Sequence, residues 1–132
     1  MNNIFKILVL IILVNQTLFA VTSSTQKIEI QNIVLKNGYN AAIKANTPLT
    51  KGQNNINIII LKNNKIIKNA DVNVVFSLPS IPNLEFGSHA KEKNNQYNLT
   101  ANFKEIGEWE YELMFKTTYG VIYSHEGRFN IN

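Results

Sequence analysis

The chain has 132 residues, 13 basic and 9 acidic side chains, a formal net charge of +4 and no cysteine. That length suits one domain of ordinary size, and the missing cysteine excludes disulfides, thiolate metal sites, a cysteine nucleophile and an acylated lipoprotein cysteine. The basic excess is mild and spread along the sequence, unlike the clustered charge of a nucleic-acid binder.

The first predicted element is a targeting segment. Met1 to Lys6 is polar with one positive charge, Ile7 to Val14 is an unbroken apolar run, and Leu18, Phe19 and Ala20 extend it. This is the layout of a secretory signal peptide over residues 1–20, cut after Ala20 or near Ser23–Ser24. The run is short for a membrane span of about 20 residues; the alternative is an uncleaved anchor. Residues 21–26 (VTSSTQ) carry no pattern and read as a flexible leader, so the folded domain is expected over 27–132.

Short alternating runs follow. Lys27 to Leu35 slips parity around Gln31–Asn32, as at a bulge or on an edge strand. Asn37–Gly38 signals a tight turn, and Tyr39, Ala41, Ile43 and Ala45 then share a face. Pro48 and Gly52 punctuate a loop, Gln53 to Lys62 reads as a central strand, and Ile66–Ile67 pairs back briefly after a turn at Asn63–Asn64. Asp71 to Leu78 places Val72, Val74, Phe76 and Leu78 on one face. Pro79 and Pro82 end it, since proline removes a ladder donor, and Asn83 to Lys93 reads as a long connection.

The clearest signal is Gln96 to Lys116. Tyr97, Leu99, Ala101 and Phe103 share one parity; Trp109, Tyr111, Leu113 and Phe115 share another, with Glu108, Glu110 and Glu112 opposite them. With Glu105–Ile106–Gly107 between them, these runs read as an antiparallel hairpin with a buried face centred on Trp109. Val121 to Ile131 is the last strand. The expected fold is all-β: an immunoglobulin-like antiparallel β-sandwich of about seven strands. Asn, Ile and Lys are frequent and share AT-rich codons, so pairs such as Asn54–Asn55 and Asn94–Asn95 are assigned no role.

Several stretches resemble, in order, a known family. Pro48 to Asn54 (PLTKGQN) is similar to its loop into the first long strand, Ala70 to Val74 (ADVNV) to its A-x-V-x-V strand, and Leu78 to Phe86 (LPSIPNLEF), followed by Gly87–Ser88–His89, to its methionine- and proline-rich turn. Tyr97, Phe103 and Gly107–Glu108–Trp109 resemble its G-x-Y … F … G-x-W ending. These motifs, over about Asn46 to Phe115, resemble the YtkA-like/FixH-like periplasmic domains of bacteria. The resemblance implies a small non-enzymatic β-sandwich linked to copper handling, metal efflux or respiratory oxidase assembly. Ile81 and Leu84 stand where the family carries methionines, leaving Met114 as the thioether of the folded part.

The candidate site residues follow. The proline-bounded stretch to His89, on a rigid sandwich, is the expected partner-binding loop: Pro79, Ile81, Pro82, Leu84 and Phe86 as its frame and apolar contacts, His89 as its polar contact. His89 is either a solvated loop histidine or a metal ligand, with Met114 as a weaker second ligand and copper as the metal. His125 has inward parity, opposite that of Met114. The glutamate stripe reads as a solvated face or a cation patch, and Lys62, Lys65 and Lys68 as guards of a strand edge or contacts to anionic lipid. No Ser-His-Asp set, paired-histidine motif or glycine-rich phosphate loop occurs, so no catalytic residue is assigned and no enzyme is expected. The expected role is an exported, periplasmic accessory domain. It would bind a periplasmic or inner-membrane protein, not nucleic acid, and would touch the membrane itself if the first segment stays as an anchor. The alternative is a structural or adhesive interaction module without metal.

Overall fold

The computed structural model describes residues 27–132. The expected signal segment and leader lie outside the described residues. Ten strands follow in chain order: β1 (Ile28–Val34), β2 (Tyr39–Ala45), β3 (Gly52–Lys62), β4 (Lys65–Ile66), β5 (Asp71–Ser77), β6 (Glu85–His89), β7 (Lys91–Lys93), β8 (Gln96–Phe103), β9 (Gly107–Lys116) and β10 (Ile122–Ile131).

They form two antiparallel sheets facing each other. The first runs β1-β2-β3-β8-β7, with β4 attached to β3; the second runs β10-β9-β5-β6. The sandwich class is as expected, with ten strands rather than seven. The additional strands are short: β4 has two residues, and β6 and β7 divide the stretch read as a long connection. Only Phe86 in β6 is strongly apolar, so its alternation is weak in the sequence. Its ladder to β5 nevertheless runs from Asn73↔His89 to Ser77↔Glu85. The chain then changes sheets at buried Ala90, whose N–H donates to the Val72 carbonyl at 2.9 Å.

The Gln96–Lys116 stretch is not a hairpin. Both faces are buried as the alternation predicts, but β8 pairs with β3 and β7 while β9 pairs with β5 and β10. The connection after Phe103 arches from one sheet to the other. A hairpin and an arch leave the same period-two pattern, because each strand needs only one buried face. The arch makes the two apolar rows oppose each other, so the Phe103 and Trp109 rings meet edge to face at 5.1 Å. Phe76, Phe86 and Phe129 complete this aromatic cluster, with ring centroids within 6.0 Å of a neighbour. Trp109 has no exposed surface, and its indole N–H donates to the Glu105 carbonyl at 3.0 Å. Packing five aromatic rings together, with Trp109, Phe76 and Phe103 buried and Phe86 and Phe129 partly so, supplies a large share of the hydrophobic driving force.

The asparagines hold positions that only a few residue types tolerate. Asn63, Asn64, Asn94 and Asn95 have φ between 48° and 63°, matching the left-handed turns that join β3 to β4 and β7 to β8. Asn54 is buried; its side chain accepts from the Thr50 N–H at 3.0 Å and donates to the carbonyls of Thr50 and Gly52. The asparagine pairs assigned no role in the sequence therefore shape turns and brace the loop before β3. β1 is an edge strand with a register shift between Glu29 and Gln31, close to where the parity slips.

Candidate functional site

The expected partner-binding loop divides into three parts with different surroundings. Pro79 to Leu84 is the true loop, at the end of the sandwich where β5 stops. It is closed by the Leu78 N–H donating to Leu84 at 3.0 Å, Ile81 N–H to Leu78 at 3.0 Å and Leu84 N–H to Ile81 at 3.3 Å. Asn83, at φ 62°, makes the reversal. Pro79, Pro82 and Ile81 are exposed at this braced tip, and Leu84 is half-buried beside a shallow depression of about 190 Å³.

Phe86 is not a loop contact. It sits on β6 with its ring 5.1 Å from Phe76, 5.6 Å from Phe103 and 5.8 Å from Trp109. Its inward parity commits it to the core. His89 is not on the loop either. It ends β6, four residues beyond Glu85, about 13 Å along the strand. The loop therefore cannot present proline, phenylalanine and histidine as one surface.

His89 joins a different set, on the outer face of the second sheet. In register, Asn73 on β5 lies between His89 on β6 and Met114 on β9, and Met114 pairs onward with Ser124 on β10. The row thus reads His89, Asn73, Met114, Ser124. The alternation of β5 and β9 turns Asn73 and Met114 outward, because their neighbours Val72, Val74, Leu113 and Phe115 fill the core. His89 and Met114 are two strand spacings apart, about 10 Å between backbones. The sequence places Met114 and His125 on opposite faces; the structure agrees, with His125 half-buried and its ring 6.1 Å from that of Tyr111.

The histidine is oriented by its neighbours. Its Nδ1 lies 3.0 Å from Asn73 Oδ1 and 3.3 Å from Asp71 Oδ1. Asn73 Nδ2 donates to Asp71 Oδ1 at 3.1 Å, which turns the amide oxygen toward the ring. With both oxygens as acceptors, Nδ1 is the donor of the pair, and in the neutral ring that leaves the Nε2 lone pair for a ligand. A carboxylate or amide oxygen behind the far nitrogen is how proteins orient a ligating imidazole. Among the described residues, no three His, Cys, Asp or Glu side chains converge as a metal cage. The available donor set is mixed: one imidazole, one thioether and neighbouring oxygens. Imidazole with thioether suits a soft ion such as copper. Asp71 and Asn73 are outward by parity alone, but their tie to His89 required knowing that β6 is a strand.

The same face carries the glutamate stripe. Arg128 on β10 clamps two members, Nη1 to Glu108 at 3.2 Å and Nη2 to Glu110 at 2.7 Å, and Glu112 accepts from Ser124 Oγ at 2.9 Å. Beside them a depression of about 330 Å³ is bordered by Glu85, Glu126 and Gly127. The stripe is a paired, solvated face.

Residues 34–114 match the YtkA-like family. This chain belongs to the YtkA-like family. Three solved structures share its fold. A DUF4426 family protein from Pseudomonas aeruginosa PAO1 superposes with a TM-score of 0.57 at 11% identity, covering 76% of this chain and 96% of that one. A copper-bound variant of FetP from uropathogenic Escherichia coli strain F11 gives 0.55 at 8% identity, covering 80% and 97%. FetP as isolated after expression in the periplasm gives 0.52 at 10% identity, covering 81% and 99%. No curated protein matches the sequence.

Proposed function

We propose that this chain is a non-enzymatic, exported accessory domain that holds copper on the outer face of its second sheet, between His89 and Met114. The observation carrying this reading is the row itself: an imidazole pinned through Nδ1 by Asp71 and Asn73, facing the same side as the thioether of the described chain. His89 and Met114 would be the ligands, with Asp71 and Asn73 setting the ring's orientation. A soft ion held there on an open sheet face would remain accessible for transfer to another protein. The copper-bound FetP variant has the same fold, which supports the choice of metal. The charged start and apolar run to Val14 support export to the periplasm, and the braced Pro79–Leu84 tip, with Ile81 outward, is the surface best suited to a periplasmic or inner-membrane protein partner.

The test is a chelator-competition titration with Cu(I) and Cu(II). His89→Ala should abolish binding of both. Met114→Leu should weaken Cu(I) more than Cu(II), because the thioether is the soft donor. Unchanged binding in His89→Ala would remove this reading.

A second reading is a metal-free interaction module, favoured by the exposed Ile81 at a rigid tip. Capture from periplasmic extract that is lost in Ile81→Asp but kept in His89→Ala, with no copper bound by the wild type, would establish it instead.

A further inference from the structure

We infer that the end of the sandwich opposite the proline loop docks on an anionic lipid surface. Three lysines close together in the sequence face one groove there. Lys62, Lys65 and Lys68 line a groove of about 670 Å³ together with Ile66, Tyr119 and the turns around them, and no carboxylate lines it. Near the rim, Glu92 accepts from the Asn69 N–H at 2.7 Å and Asp71 lies beside His89, so neither carboxylate points into the groove lining. The outer face of the second sheet, by contrast, lines its depression with Glu85, Glu110, Glu112 and Glu126.

Exposed apolar side chains share the basic end. Tyr119 is 90% exposed and Ile66 44%, and both line the groove. A soluble surface scatters such residues singly; here Ile66 and Tyr119 border the same groove as Lys62, Lys65 and Lys68. Lysine heads with apolar and tyrosine bodies form the chemistry of a headgroup-depth contact, where cations meet phosphates and rings enter the acyl boundary. Edge protection accounts for one of these lysines: Lys65 sits on β4, a two-residue edge strand that pairs only with β3, whereas Lys62 lies on β3 between β2 and β4, and Lys68 lies beyond β4.

The end is also held in shape before any contact. The Thr117–Gly120 turn, with Tyr119 at its tip, is closed by the Gly120 N–H to Thr117 at 2.9 Å, Thr117 N–H to Val121 at 2.9 Å and Val121 N–H to Thr117 Oγ1 at 3.2 Å. The Asn63 N–H donates to the Gly38 carbonyl at 2.9 Å, locking two neighbouring turns together. Lys62 Nζ stands 4.5 Å from the centroid of the Tyr39 ring. A large aromatic held in water by a rigid turn loses little freedom on burial, so insertion costs little. Docking here leaves the Pro79–Leu84 tip pointing away from the bilayer, free for a protein.

The test is co-sedimentation of the full chain with vesicles of neutral phosphatidylcholine or of phosphatidylcholine with phosphatidylglycerol. Any contribution of the apolar amino-terminal run is common to all variants. The anionic vesicles should bind more tightly, and this gain should fall about a hundredfold in Lys62→Gln/Lys65→Gln/Lys68→Gln, at about fivefold per lysine. It should also fall in 1 M salt, where the screening length is about 3 Å. Tyr119→Trp should add a fluorescence component that shifts to the blue on anionic vesicles, against the constant signal of buried Trp109, which also reports folding. Equal binding to both vesicle types, an unchanged triple variant, or binding with no shift from residue 119 would each overturn the proposal. So would tighter retention by a single-stranded oligonucleotide of matched charge, which would make this end a polyanion site.

Discussion

The two outer faces of the sandwich are built on the same kind of core yet differ in chemistry. The outer face of the first sheet carries neutral amides and hydroxyls such as Asn55, Asn98 and Thr100, joined by weak contacts such as Thr100 Oγ1 to Asn55 Oδ1 at 3.3 Å, with Lys44, Lys91 and Lys93 in register beside them. The outer face of the second sheet carries ion pairs, an oriented histidine and a thioether in register. Since the inward residues form the core between the sheets, the outward ones are free to specialise. Here one face has done so.

Substitutions can break or sharpen that contrast. The largest effect should come from below both faces. Trp109→Ala removes the fully buried ring that joins the sheets, and should cost about 3–5 kcal/mol, read as a fall in the urea midpoint. Gly127→Ala should come next and belongs to the second sheet alone. A Cβ there would lie 2.4 Å from Tyr111 Oη and 2.6 Å from its ring carbons. Tyr111 is packed between sheets at 2% exposure and cannot yield, so overpacking should cost about 1–3 kcal/mol.

The functional contrast is sharper at the surface. Asn73→Ala frees the His89 ring from its orienting oxygen and should weaken copper binding at least about tenfold, with little change in stability. Asn55→Ala, on the first sheet, should leave copper affinity unchanged and stability within about 0.5 kcal/mol. If both variants behaved alike, the two faces would not differ in function.

Alkaline pH offers the mildest probe. Burial pushes the Tyr111 hydroxyl up from 10.0 to about 12, and burial likewise raises that of Tyr97. The folded state then holds the phenolic proton more tightly than the unfolded chain. Stability is full below pH 10 and declines as pH rises through about 12. A urea-midpoint series across this range should show the decline, and Tyr111→Phe should flatten it.

The core was legible in the sequence because alternation reports burial directly: Val72, Val74 and Phe76, and the rows from Tyr97 to Phe103 and Trp109 to Phe115, are all inward. Pairing was not legible, because parity is silent on whether Glu105–Ile106 turns back within a sheet or crosses to the other. β6 stayed hidden for a related reason. An edge strand with one large apolar residue needs little periodicity, since its ladder to β5 is made by backbone groups. That hid the partners of His89, and with them the distinction between the proline tip and the histidine row. Asn37–Gly38 is a turn signal by composition, whereas Asn94–Asn95 is not, although both of its residues take the left-handed conformation that asparagine tolerates.

The passage of the chain from β6 to β7 through Ala90 gives the sandwich a spine. At that edge the two sheets are continuous covalent chain, so they cannot part there. The opposite edge, where β1 and β10 meet, is fastened by side chains: Gln31 Nε2 donates to the Arg128 carbonyl at 3.1 Å, and Tyr123 Oη to that of Lys36 at 3.3 Å. The molecule should therefore open like a book, pages first. Amide exchange should be faster in β1 and β10 than in β5 and β8, and the His89–Asn73 end of the histidine row, near the spine, should be among the last features lost as the covers separate.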